Sequence, residues 1–248
     1  MNFYQKLDRA VEKNNSLLCI GLDAIAPRQF VFNKKIIDAT HDLVCAYKPN
    51  SAFYEARGAK GIEELKNTCE YLRKNYPHIV IILDAKRADI GSTNAGYVSY
   101  AFDYLKADAI TLHPYLGKEA LQPFLDWVDR GCIILCRTSN SGSGEFQDEM
   151  YQKVAQNVAG QWNANNNCAV VVGATYPEEL GIVRKIIGEM PILLPGVGAQ
   201  GGDLAASMRA GLNSQKAGLI INSSRGILFS QDPRAEAEKL RAEINLYR

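Results

Sequence analysis

The sequence predicts a (β/α)8 barrel, a TIM barrel. Eight short apolar runs recur at intervals of roughly 25–35 residues, and each ends in a polar or glycine-containing cluster. Between several of them lie segments with a helical hydrophobic period. The chain has 248 residues, 47% of them hydrophobic, enough to bury one large core. An open doubly wound sheet is the alternative. That fold commonly has about five to seven strands and a Gly-x-Gly-x-x-Gly first turn, whereas the first turn here offers only Gly21. No linker or low-complexity stretch divides the chain, so a single barrel domain over residues 1–248 is expected, with a short amphipathic lead-in helix over residues 3–12.

The elements follow in order. The first run, residues 17–22, closes on Asp23, and the second, residues 43–47, closes on Lys48-Pro49-Asn50. The third, residues 79–83, is β-branched and continuous, as suits a strand buried on both faces. It closes on Asp84-Ala85-Lys86-Arg87-Ala88-Asp89, and Asp84 and Lys86, two apart, point to the same side of an extended strand. Run four, residues 107–112, closes on His113-Pro114, and run five, residues 132–136, on Arg137-Thr138-Ser139-Asn140. Run six, residues 168–172, closes on Gly173-Ala174-Thr175. Run seven, residues 192–194, leads into Pro195-Gly196-Val197-Gly198-Ala199-Gln200-Gly201-Gly202. Run eight, residues 219–222, leads into Ser223-Ser224-Arg225-Gly226. Helices are expected over residues 61–75, 95–105, 147–162, 177–187 and 233–246. Ser92 or Thr93 is expected to cap the helix after run three, and Pro177-Glu178-Glu179 to form a first turn.

A formal net charge of +1 argues against a nucleic-acid surface or a polybasic membrane anchor. No apolar run approaches the roughly 18–20 residues of a membrane span, and no signal-peptide core is read at the N-terminus. The six cysteines lack a Cys-x-x-Cys spacing and mostly sit in apolar runs, and His41, His78 and His113 are scattered. No metal site is legible, and a reduced, soluble, cytoplasmic protein is expected.

In this fold the C-terminal strand ends converge on one mouth, where active sites are built. Asp23, Lys48, Asp84, Lys86, Ser139, Gln200 and Arg225 all fall there. The loops after strands seven and eight are the fold's recurrent phosphate cradle. Glycines admit backbone N–H groups to an anion and Arg225 can hold it in a fork, so a phosphorylated ligand is expected. Lys48 and Lys86 end neighbouring strands among Asp23, Asp84 and Asp89, and opposite charges nearby keep a lysine protonated. A protonated lysine is a proton donor and anion stabiliser, whereas a Schiff-base lysine needs a depressed pKa. A structural ion-pair network is the plainer reading of the same charges. Ser139 has no adjacent base to make it a nucleophile, which leaves ligand hydrogen bonding and turn chemistry both open. His113 is open between packing and contact, and Phe53 and Tyr54 are expected in the core.

Taken together, several motifs give the chain a resemblance, over its whole length, to the orotidine 5′-phosphate decarboxylase family. They are Gly21-Leu22-Asp23, Tyr47-Lys48-Pro49-Asn50-Ser51-Ala52-Phe53, Asp84-Ala85-Lys86-Arg87-Ala88-Asp89-Ile90-Gly91-Ser92-Thr93, residues 195–202 and Arg225-Gly226. Arg87, Cys136-Arg137-Thr138-Ser139-Asn140 and Val171-Val172-Gly173-Ala174-Thr175 resemble a subgroup common in bacteria. Ala88 and Ser141 stand where glycine and proline are common, and neither carries a charged role. The resemblance implies a homodimer without cofactors that converts orotidine 5′-phosphate to UMP and carbon dioxide, the last step of de novo pyrimidine synthesis. It implies that Lys86 protonates C6, that Asp84 lies near the substrate carboxylate, and that Asp23 and Lys48 bind the ribose. It further implies Ser139 on the pyrimidine, and Gln200, Gly201, Arg225 and Gly226 on the phosphate. Asp89 and Thr93 would reach into the partner's site. Related magnesium-dependent sugar-phosphate enzymes share Asp-x-Lys-x-x-Asp but end strand two with an acid, where this chain has Lys48.

Overall fold

The computed structural model describes residues 1–197 and 202–248. Eight parallel strands close into a barrel in chain order. They are β1 (Leu18–Gly21), β2 (Ala46–Lys48), β3 (Val80–Arg87), β4 (Ala109–Leu112), β5 (Gly131–Arg137), β6 (Cys168–Val172), β7 (Ile192–Pro195) and β8 (Leu219–Ser223). Each expected apolar run overlaps one of them, the second least, since β2 shares only Ala46 and Tyr47 with residues 43–47. Strand β8 closes the ring on β1 through Leu18↔Ile221, Cys19↔Asn222 and Ile20↔Ser223. The runs lack polar alternation because both pleat faces are covered, one by the barrel interior and one by helices. Val80, Ile81, Ile82 and Leu83 are all buried accordingly.

The helices are α1 (Phe3–Asn14), α2 (Gln29–Thr40), α3 (Ala52–Glu55), α4 (Gly58–Asn75), α5 (Gly91–Val98), α6 (Gly117–Leu125), α7 (Gly144–Asn157), α8 (Pro177–Ile187), α9 (Leu204–Gly211), α10 (Arg225–Leu228) and α11 (Pro233–Asn245). Helix α1 is the expected lead-in. Asn2 and Gln5 cap it reciprocally, and it packs at the end of the barrel where the strands begin. Phe3 is fully buried there. A Cβ on Gly131, at the start of β5, would lie 2.8 Å from its ring, so only glycine lets this plug seat. Tyr4 Oη donates to the Cys168 carbonyl at 2.6 Å, at the start of β6. With α1 at this end, the C-terminal strand ends form the open mouth.

Two helices depart from expectation by their geometry. The segment after β3 starts earlier, as α5, and continues into a π-helical turn over Ser99–Tyr104, while α7 runs into another over Val158–Trp162. Neither Ser92 nor Thr93 caps α5. Ile90 is the N-cap residue without a side-chain cap, and Ser92 and Thr93 lie within the first turn. Asn94 holds this corner instead, accepting from the Asp89 N–H at 2.9 Å and donating to the Asp89 carbonyl at 2.6 Å. All six cysteines are free and buried. Among the described residues, no helix is long and apolar enough to cross a membrane.

Candidate active site

The mouth leads into a cavity of about 730 Å³ whose walls differ in chemistry. Asp23, Lys48, Asp84, Lys86 and Thr111, from the β1–β4 side, form a charged half, and Leu135, Val171 and Leu193 of β5, β6 and β7 form an apolar half. Alternation along each strand sends these side chains inward while their neighbours face the helices.

Asp84 is the hub of the charged half. Its Oδ2 accepts from Lys48 Nζ at 2.8 Å, and its Oδ1 accepts from Lys86 Nζ at 2.6 Å and from Thr111 Oγ1 at 2.9 Å. Burial opposes its charge, but the two ammonium groups outweigh burial and hold the carboxyl well below the usual carboxylate range. Burial likewise opposes the charge of Lys48, and the nearby Asp84 and Asp23 carboxylates outweigh it, so the Lys48 pKa is raised. Lys48 therefore stays cationic at neutral pH, unlike a Schiff-base lysine.

The two lysines differ in access. The Lys48 side chain is 4% exposed and is built into the floor, whereas that of Lys86 is 48% exposed toward the cavity. Lys86 also has a left-handed backbone, with φ of 48°. That conformation costs a non-glycine residue about 1–3 kcal/mol and is concentrated at functional sites. It coincides with a register shift against β4 between Leu83 and Arg87. The Lys86 N–H donates to Thr111 Oγ1 at 2.9 Å, so one threonine hydroxyl ties the kinked backbone to the Asp84 carboxylate.

Around this core, Asp23 accepts the Asn50 N–H on Oδ1 at 3.2 Å and the Ser224 hydroxyl on Oδ2 at 2.8 Å. Ser139 lines the cavity on the loop after β5. A Cβ on Gly173, after β6, would lie 2.8 Å from the Ser139 Cα, so a glycine there leaves the serine its place. Arg225 begins α10 and lines the exposed rim. Gly226 is exposed beside it but is not part of the cavity wall. Gln200 and Gly201 lie outside the described residues.

Asp89 and Thr93 do not line the cavity. Asp89 Oδ1 accepts the Ile90 N–H at 2.6 Å, and Thr93 is exposed on α5. Phe53 corrects an expectation, since it lines the cavity and is only partly buried, whereas Tyr54 is in the core with its hydroxyl donating to the Leu22 carbonyl at 2.8 Å. His113 lies 3.2 Å from the Ala88 carbonyl through Nε2 and packs the strand end outside the cavity. Sequence reasoning missed Thr111, Ser224 and Asn222. Thr111 had a signal, a lone polar side chain inside an apolar strand. Among the described residues, no three His, Cys, Asp or Glu side chains gather as a metal site needs.

The closed parallel barrel and its charged cavity define a (β/α)8 enzyme whose site lies at the strand C-termini. The chain belongs to the orotidine 5′-phosphate decarboxylase / HUMPS family, whose model matches residues 16–240. It is 48% identical to the orotidine 5′-phosphate decarboxylase of Cellvibrio japonicus (strain Ueda107), over 100% of both chains. It is 46% identical to that of Janthinobacterium sp. (strain Marseille), over 100% of this chain and 99% of the relative. Among solved structures it is similar to Leishmania donovani OMP decarboxylase, with a TM-score of 0.93 and 40% identity over 100% of this chain and 98% of that one. Leishmania donovani UMP synthase gives a TM-score of 0.94 at 42% identity, and this chain spans 56% of that longer protein.

Proposed function

We propose that this protein decarboxylates orotidine 5′-phosphate to UMP and carbon dioxide as a cytoplasmic homodimer without metal or cofactor, with Lys86 as the proton donor. The observation that carries the reading is the cavity-facing Lys86 ammonium, 2.6 Å from an Asp84 carboxylate that a second, buried lysine holds ionised. When the bond from C6 to the carboxylate breaks, its electron pair remains in the plane of the ring, where no neighbouring carbonyl can absorb it. A fixed ammonium beside C6 stabilises that pair and then gives it a proton, leaving a neutral amine. Asp84 aims Lys86, and Lys48 keeps Asp84 charged and turns its remaining N–H groups, with Asp23, to the ribose. The apolar half of the cavity suits the departing carbon dioxide. Ser139 serves the pyrimidine, while Arg225, Gln200, Gly201 and Gly226 serve the phosphate, whose remote binding energy helps to align the reacting groups.

Asp89 and Thr93 lie outside their own cavity, which supports a role for them in the partner's site. Exposed Ile90, Tyr115 and Leu116 on the loops after β3 and β4 suit a subunit contact. The magnesium-dependent reading fits less well, because the Lys48 ammonium takes the place of an acidic ligand at the end of β2 and repels a dication.

The test is loss of substrate absorbance by purified protein in EDTA, which is expected to proceed undiminished. Lys86→Ala is expected to abolish turnover while UMP still binds. Activity that disappears on chelation would favour the magnesium chemistry. UMP binding with no turnover by the wild type would reduce the protein to a nucleotide-binding barrel.

A further inference from the structure

We infer that Ser224 is a positioning residue, whose hydroxyl fixes the plane of the Asp23 carboxylate and couples it to the phosphate loop. The inference rests on the reading of Asp23 as a ribose ligand. Asp23 follows β1 and Ser224 follows β8, 201 positions apart, and closure of the barrel makes them neighbours. Left alone, a carboxylate turns freely about its last torsion, which has broad two-fold minima. Here the Ser224 hydroxyl donates to Oδ2 at 2.8 Å and the Asn50 N–H to Oδ1 at 3.2 Å. The two donors come from β8 and β2, on either side of β1, and hold the two oxygens separately. The remaining lone pairs are left for a substrate hydroxyl and for Lys48.

Two further observations support this. Asn222 Nδ2 lies 3.5 Å from Ser224 Oγ, on the acceptor side of a hydroxyl whose proton is committed to Asp23. Gly21 is not in the left-handed region, so its backbone does not demand glycine. Space does. A Cβ at Gly21 would lie 2.0 Å from Ser224 Oγ and 2.7 Å from Asp23 Oδ2. The glycine therefore keeps open the gap in which this hydrogen bond forms. Ser224 also directly precedes Arg225, so the hydroxyl on Asp23 and the proposed phosphate-binding arginine are one peptide unit apart.

The experiment is a pair of double-mutant cycles read in kcat/KM and, in parallel, in UMP affinity. Ser224→Ala is expected to lower both by roughly tenfold, the scale of one hydrogen bond to a charged group. In an Asp23→Asn background the same change is expected to cost less than about twofold, because residues acting as one unit are non-additive. Gly21→Ala, with Ser224 intact, is expected to reproduce the loss. A tenfold loss that persists in Asp23→Asn but vanishes in Arg225→Ala would overturn the inference and make Ser224 a phosphate-loop residue. Wild-type behaviour of Ser224→Ala would also overturn it. Absence of turnover in the wild type would count against the decarboxylase reading alone, since UMP affinity still reads the coupling.

Discussion

Replacing Lys48 with methionine removes one of the two ammonium groups on Asp84 and leaves the carboxylate in the barrel floor. The two side chains are 4% and 9% exposed, so water screens the pair little. Breaking such a pair costs about 3–5 kcal/mol, because the orphaned charge stays buried. Asp84 keeps Lys86 at 2.6 Å and Thr111 at 2.9 Å, which places the expected loss near the lower end, about 3 kcal/mol. In a chain of this length that corresponds to a fall in Tm of about 6–12 °C. The loss also depends on pH. The folded pKa of Asp84 is depressed, so its contribution is present above the unfolded value of about 3.9 and is lost as pH falls through the folded value. The folded pKa of Lys48 is raised, so its contribution is complete below about 10.4 and is lost only as pH rises through the folded value. Without Lys48, burial pushes the Asp84 pKa up and the variant no longer loses this stability on acidification. The gap between wild type and variant is thus complete above about pH 3.9 and narrows as pH falls below it through the folded value of Asp84. Urea unfolding followed by the fluorescence of Trp127 and Trp162 measures it. A gap below about 1 kcal/mol at neutral pH, or one that does not change on acidification, would refute the account of Lys48 as the partner that keeps Asp84 ionised.

Subunit sharing has a direct test. Lys86→Ala and Asp89→Asn are each expected to be nearly inactive, yet mixing them under exchange should restore about a quarter of wild-type activity, because half of the dimers then carry one complete site. No recovery from a mixture shown to exchange would return Asp89 to its own subunit. Arg225→Ala is expected to weaken UMP binding by about ten- to a hundredfold while leaving uridine binding unchanged, as suits a charged contact to phosphate alone. Calorimetry showing equal losses for both ligands would move Arg225 off the phosphate. Gly173→Ala pushes a methyl against the Ser139 backbone and is expected to cost about 1–3 kcal/mol in stability together with a fall in kcat/KM. Unchanged melting and turnover would remove Gly173 from the site.

The parts of the site that were legible are those where a charge interrupts an apolar strand. Asp84 and Lys86 stood out because charges at the end of a buried run require partners, and Lys48 and Asp23 because they end neighbouring runs. Thr111 and Ser224 did not stand out, since short hydroxyl side chains have many local uses in turns and strand ends. The helix boundaries after β3 and β5 were blurred for a different reason. A π-helical turn keeps the apolar residues in place while shifting the period that would reveal it.

The order of eight apolar runs and the polar ends they share were determined by the sequence by itself. A parallel barrel strand is buried on both faces, and that leaves an unmistakable run of aliphatic residues. Only the tertiary structure gives the two lysines their different access to the cavity, through the left-handed backbone at Lys86 and the burial of Lys48. It alone brought Ser224 to Asp23, because that contact exists only once β8 has closed on β1. Composition records what must be buried, whereas the geometry of closure determines which polar groups face one another.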